Sequence, residues 1–251
     1  MSAASDPSQP PILILAGTRE ARALAAHLSQ MGQPVLASLA GVTRDPAPYP
    51  CPVRSGGFGG VHGLAAWLQA HRPPALIDAT HPFARQMQLN AAAAAAQTGT
   101  PRLRLLRPPW PTRQGWQLVP DLAAAAAALP PGARVLLTTG GKEVAAFAQR
   151  PDCHFVLRVI EPVADLPPHI QTHLTRPPFS LADEIALLRD QRITHLITKN
   201  AGGSGTAKLD AAEHLGLPVI VVDRPPVPPG PLAQDPQTAV DWLATLKIGA
   251  N

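Results

Sequence analysis

Short apolar runs alternate with amphipathic stretches along nearly the whole chain, and this alternation constrains the fold more than any other feature. Residues 12–16 read as a strand and lead at once into a helical pattern over 18–31. A strand at 35–39, a helix at 61–70, a strand at 75–78, a helix from Pro82 through the alanines of 91–96 and a strand at 103–106 follow. Apolar strands separated by helices belong to parallel sheets covered on both faces. The pattern then restarts, with strands at 134–138, 155–160, 195–198 and 219–222 and helices at 143–149, 182–191, 207–215 and 238–246. Between the halves lies "RPPWPTRQG" (107–115), whose three prolines prevent regular structure. The expected class is α/β, with one domain over 1–112, a second over 113–251, parallel sheets in each and a cleft between them. A single sheet of about nine strands is the alternative.

Composition narrows the function classes. With 45% hydrophobic and 15% charged residues, the 251-residue chain has ample material for a core. No run approaches the roughly 18 apolar residues of a membrane helix. The opening "MSAASDPSQP" has neither a basic start nor an apolar core, so a soluble, cytoplasmic protein is expected. Cys51 and Cys153 stand in unrelated contexts and make neither a disulfide framework nor a zinc site. The net charge is +4, from 21 basic residues scattered along the chain. That balance suits an acidic ligand or simple compositional bias better than nucleic acid, since aromatic residues are only 4%. The alanine runs are helix-favouring low complexity, and "PPVPPGP" (225–231) reads as a rigid connector.

Chemistry is expected where strands end and helices begin, because unpaired amides and the helix dipole converge there on anions. Four such corners carry unusual residues: "LAGTRE", "IDATHPF", "LTTGGKE" and "ITKNAGGSG". In the first, Gly17 permits a tight turn, Thr18 is placed to cap the helix, and Glu20 to accept from an amide or a ribose hydroxyl. The strand at 35–39 ends without the acid that an NAD site places there. Ser38 and Arg44 are instead suited to a 2′-phosphate, so a dinucleotide at this site would be NADPH. "RSGGFGG" (54–60) offers Arg54 for an anion, Gly57 for close backbone approach and Phe58 for a planar ring, although a plain flexible loop accounts for it too. In "DATHPF", Pro82 suits the first helical position with His81 at the cap, beside Asp78 and Thr80. Lys199 follows an apolar strand, where an ammonium requires an anionic partner. It is a candidate either to anchor a ligand carboxylate or to donate a proton. No Ser–His–Asp order, HExxH or paired Cys/His spacing points to a hydrolase or a metal enzyme.

Taken together, "GTREAR", "SLAG", "RSGGFGG", "DATHPFA", "RLRLLRPPW", "LRVI", "ITKNAGG", "KLDAA" and "LPVIVVDRP" resemble the precorrin-6A reductase family of cobalamin biosynthesis over nearly the whole chain. The resemblance implies two Rossmann-like domains and NADPH-dependent reduction of one ring double bond of precorrin-6A, giving precorrin-6B; a related branch acts on the cobalt-containing analogue. It also implies that Gly17, Thr18, Ser38, Arg44, Arg54, Gly57, Phe58 and Thr80 lie toward cofactor. Lys199, Asn200, Gly202, Gly203, Lys208 and Arg224 would lie toward the ring or the facing phosphates, with Lys199 and His81 the candidates for proton chemistry. The partner implied is a polycarboxylate tetrapyrrole, with neither nucleic acid nor membrane, and with neighbouring pathway enzymes as possible contacts. Another nucleotide-dependent enzyme on the same architecture, or a non-catalytic tetrapyrrole carrier, are the competing readings.

Overall fold

The computed structural model describes residues 9–41 and 47–246. The chain divides into two units. The first is Met1–Pro108 together with Pro226–Asn251, and the second is Pro109–Pro225.

The first unit opens with β1 (Ile12–Leu15), α1 (Arg19–Gln30), β2 (Val35–Leu39) and β3 (Val53–Ser55). It continues through α2 (Gly60–His71), β4 (Leu76–Asp78), α3 (Arg85–Thr98) and β5 (Arg102–Leu105). The second unit contributes β6 (Trp116–Val119), α4 (Leu122–Ala127), β7 (Arg134–Leu137), α5 (Ala145–Ala148), β8 (His154–Val159) and β9 (Ile170–Leu174). Within it follow α6 (Leu181–Asp190), β10 (His195–Lys199), α7 (Ala207–His214) and β11 (Val219–Val222). The chain then returns to the first unit with β12 (Leu232–Ala233) and α8 (Pro236–Thr245).

Two six-stranded sheets result, ordered β12-β5-β4-β1-β2-β3 and β6-β11-β10-β7-β8-β9, with every pairing parallel. The alternative of one large sheet is therefore replaced by two. The expected boundary at 112/113 also needs correction at the other end, because residues after Pro225 do not stay with the second half. Leu232 and Ala233 pair with Arg104 and Leu105, and α8 buries Ala239, Val240 and Leu243 in the same core as α1. "PPVPPGP" is thus the second point at which the chain passes between units. Both passages fall in an Arg-Pro-Pro segment.

Local sequence explains the elements that position the site. α1 buries Ala21, Leu24, Ala25 and Leu28, the i, i+3, i+4, i+7 stripe of a helix packed on a sheet. Burying each leucine contributes roughly 1.5–3 kcal/mol. All four residues of β1 and of β11 are buried, as central strands covered on both faces require. Among the described residues, no helix is long and apolar enough to cross a membrane.

Candidate active site

The first sheet reverses its direction of winding between β1 and β4. In doubly wound sheets ligands collect beyond the carboxyl ends of the strands at that point. A cavity of about 380 Å³ opens there, lined by the ends of four strands and the loops that follow. Gly17 and Gly41 line it after β1 and β2, Gly56, Gly57 and Phe58 after β3, and Thr80 and His81 after β4. Its described lining holds no carboxylate.

Gly17 sits at φ +122°, a conformation that L side chains rarely adopt, and a Cβ there would meet nothing within 4 Å. The requirement is on the backbone, and the space beside it is open to a ligand. Thr18 caps α1, accepting from the Ala21 amide at 3.1 Å, and its hydroxyl donates to the Ala79 carbonyl at 2.8 Å. That single side chain ties the β1 turn to the β4 turn. Glu20 does not line the cavity. Its carboxylate accepts from Arg107 at 2.6 Å, so it fastens the segment where the chain leaves the unit.

At the ends of β2 and β3, Arg54 donates to Ser38 Oγ at 2.8 Å and to the Gly56 and Gly57 carbonyls at 3.1 and 3.3 Å. The guanidinium carbon lies 3.8 Å from the centre of the Phe58 ring. Arg54 thus shapes the loop that faces the cavity and supplies positive charge beside Ser38. The positive φ angles of the loop fall at Gly56, Gly59 and Gly60, and Gly57 is not among them. Gly63 has the stricter requirement. A Cβ there would run into the Phe58 carbonyl oxygen and come within 2.8 Å of its carbon. Arg44 lies outside the described residues.

The β4 corner is held by a buried ion pair. Asp78 is 0% and Arg104 1% exposed. Arg104 Nη1 donates to Asp78 Oδ1 at 2.9 Å and to the Asp78 carbonyl at 2.7 Å, and Nη2 donates to the Thr80 carbonyl at 3.0 Å. Asp78 Oδ1 also accepts from the Thr80 hydroxyl at 2.7 Å. Burial, opposed by Asp78, pulls the Arg104 pKa down from its usual value. His81 is exposed at the cavity, and its Nδ1 accepts from the Phe83 amide at 3.3 Å. Pro82 is not the first helical residue as expected. Residues 81–84 form a turn closed by the Ala84 amide on the His81 carbonyl at 2.8 Å, the Gln88 side chain donates to the His81 and Pro82 carbonyls, and α3 starts after Ala84.

The second unit gathers the other predicted residues around the end of β10. Lys199 is ion-paired with Glu143, from the turn after β7. The anionic partner that sequence reasoning reserved for a ligand is therefore present in the protein. Asn200 is buried, and its Oδ1 accepts from the Trp110 amide at 2.9 Å. Trp110 Nε1 donates to the Gly203 carbonyl at 2.7 Å, while Gly202 and Gly203 turn the loop at φ +68° and +78°. Arg224 donates to the Asn200 and Ala201 carbonyls at 2.8 and 3.0 Å, holding the same loop from the other side. Lys208, on the first turn of α7, reaches the Gly205 carbonyl at 3.4 Å and lies 4.8 Å from the Trp110 ring centre. Burial, with Arg158 nearby, brings its pKa down to about 8. Trp110, Glu143 and Arg104 thus belong to the site's framework without having been named from sequence.

The family model described as "Precorrin-6x reductase CbiJ/CobK" matches residues 11–244. The chain belongs to this family. Precorrin-6A reductase of Rhodococcus erythropolis is 49% identical over 94% of the chain and 98% of its own length. That of Rhodobacter capsulatus is 46% identical over 93% and 95%. Cobalt-precorrin-6A reductase of Priestia megaterium is more distant, at 31% over 86% and 91%. A solved structure of CobK precorrin-6A reductase superposes with a TM-score of 0.89 at 45% identity, covering 95% of this chain and 97% of that one. Within the precorrin-6x reductase family, then, this chain pairs a glycine-turned cavity in its first unit with a lysine–glutamate corner in its second.

Proposed function

We propose that the protein reduces precorrin-6A to precorrin-6B with NADPH, as a cytoplasmic step of cobalamin biosynthesis. The observation that carries this reading is the first-unit cavity, which combines a positive-φ glycine turn, the switch point of the sheet and a lining without carboxylate. NADPH supplies the hydride when bound, and the ring carbon across the reduced double bond takes a proton. Ser38 and Arg54 fit a 2′-phosphate, because no acid of the described lining opposes it and a guanidinium stands 2.8 Å from the serine hydroxyl. Gly17, Thr18 and the first turn of α1 fit the diphosphate. Thr80, fixed by Asp78 and Arg104, sets the opposite wall and presents His81. His81 Nδ1 is taken by the Phe83 amide, so a proton exchanged by this residue passes through Nε2.

In the second unit, Lys199 is an anchor for a carboxylate of the ring. Glu143 holds the ammonium in place until a substrate carboxylate shares it. Asn200, Gly202, Gly203 and Arg224 shape the loop that carries Lys208 toward the same anionic edge. The metal-free ring is the favoured substrate, since the relatives named for it are the more similar ones. Product passing to a neighbouring enzyme of the pathway is part of this reading.

The test is anaerobic incubation of precorrin-6A with NADPH or NADH, following ring absorbance and nicotinamide oxidation together. One nicotinamide oxidised per ring reduced is expected. A charge-assisted contact to the 2′-phosphate is worth about 1.5–3 kcal/mol, so NADPH should bind roughly ten- to a hundredfold more tightly. Equal dissociation constants would remove the 2′-phosphate contact, and an unchanged ring spectrum would remove the activity.

A further inference from the structure

The one hydrogen of the Gly17 amide is already engaged. Gly17 lines the first-unit cavity, and its N–H donates to the Tyr49 hydroxyl at 3.3 Å, across 32 positions of sequence. Tyr49 lies between β2 and β3 and is the only tyrosine of the chain. Two features fix its place. It stands in Pro48-Tyr49-Pro50, so the φ angle is set on either side, and the proline that follows holds the tyrosine itself to extended backbone. Its ring is partly buried and packs against the first-unit core that contains Ile12, Ile14 and the buried face of α1. Pushing the ring aside would return apolar surface to water.

A ligand oxygen arriving at this turn therefore meets a hydroxyl and not the glycine N–H. A phenol carries one O–H donor beside its acceptor lone pairs. The Gly17 amide takes a lone pair and leaves the proton, which has no acceptor among the described residues. A hydroxyl that accepts from an amide is polarised and donates the more strongly for it. The contact is at the surface, so a ligand can reach the proton. The described lining of the cavity holds no carboxylate to take it, and the acceptor that fits is an anion carried by the ligand.

We propose that Tyr49 is a further cofactor-binding residue, whose hydroxyl, steadied by the Gly17 amide, donates to a diphosphate oxygen of the dinucleotide. This rests on the reading that the first-unit cavity holds NADPH. Gly17 then supplies the open backbone at the turn, and Tyr49 supplies the donor.

The test is calorimetric titration of wild type and Tyr49→Phe with NADP⁺ and with adenosine 2′-monophosphate, which carries the 2′-phosphate but no diphosphate. Tyr49→Phe should weaken NADP⁺ about tenfold, as loss of one hydrogen bond to a charged acceptor implies, and leave the monophosphate within about twofold. Tyrosine labelled with ¹³C at Cζ gives a single resonance in this chain. In wild type that resonance should shift when NADP⁺ is added and hold its place with the monophosphate. A hydroxyl that only stiffens the turn would lower the melting temperature of the variant and weaken both ligands alike. Equal loss of the two ligands, an unchanged NADP⁺ affinity, or a resonance that NADP⁺ leaves in place would each overturn the proposal. Tighter NADP⁺ binding by the variant would overturn it too, since the hydroxyl would then compete with the ligand for the Gly17 amide. The resonance is read in wild type, so the proposal stays open to refutation even if the variant folds poorly. Wild type and variant binding NADP⁺ equally well removes Tyr49 alone, whereas wild type that binds no NADP⁺ removes the cavity reading and Tyr49 with it.

Discussion

Replacing Lys208 with methionine should stabilise the protein at neutral pH and stop doing so in alkali. The lysine pKa is brought down from 10.5 to about 8, chiefly by burial and then by Arg158, with Glu184 opposing. At 1.36 kcal/mol per pKa unit that depression corresponds to about 3 kcal/mol, and partial access of water to the side chain reduces it to about 1.5–3 kcal/mol. Below pH 8 both folded and unfolded chains carry the proton, so the folded state bears the whole penalty of a charged, half-buried ammonium. Between pH 8 and 10.5 the unfolded chain binds more protons, and wild-type stability gains with rising pH from this group. Above 10.5 the penalty is gone. Urea unfolding of wild type and Lys208→Met, followed by tryptophan fluorescence from about pH 7 to about pH 11, isolates the lysine because other titrations cancel in the difference. The variant should lead by about 1.5–3 kcal/mol at the neutral end and converge with wild type at the alkaline end. A difference that stays constant or widens with pH would refute the reasoning.

Three further outcomes are expected. Asp78→Asn leaves the Arg104 guanidinium buried without its counter-charge and should cost about 3–5 kcal/mol, read as a large fall in melting temperature; a loss under about 1 kcal/mol would mean that the pair is dispensable. Gly63→Ala pushes the Phe58 carbonyl outward and should weaken NADPH binding about tenfold with circular dichroism unchanged, whereas Gly57→Ala, which has open space and no positive φ, should stay within about threefold of wild type. Lys199→Met should raise KM for precorrin-6A about ten- to a hundredfold and largely spare kcat; a kcat reduced by about 10²–10⁴-fold with an altered pH profile would instead make Lys199 the proton donor.

The central strands were legible in the sequence because they are apolar on both faces, as Ile12–Leu15 and Val219–Val222 are. The edges were not. In β3 and β12 at least half the residues are exposed or only partly buried, and β9 buries only Ile170, so none presents an apolar run to be read. Site residues divide in a similar way. Ser38 stands near the end of β2, and Gly17, Thr80 and His81 follow strands closely; the structure gathers these four around one cavity, while Thr18 ties two of its turns together. Asp78 and Arg104 stand opposite one another on β4 and β5, and an arginine between leucines in "LRL" was a usable signal for a buried pair. Nothing local marked Glu20 as the partner of Arg107, since that contact joins positions 87 residues apart. Gly63 was equally hidden, because its requirement comes from a carbonyl in the preceding loop and not from its own dihedral angles.

The return of the chain to its first sheet sets the order in which the molecule is completed during synthesis. Every strand of the second unit is contiguous in sequence, so that unit has all its parts once Pro225 has left the ribosome. The first unit, although begun earlier, still lacks β12 and α8. Until they arrive, one side of β5 is an open edge, and the face of α1 that packs against α8 is uncovered. The half begun first is the half finished last. Its nascent form therefore depends on rapid arrival of the final segment, or on a chaperone, to keep that edge from pairing with another chain.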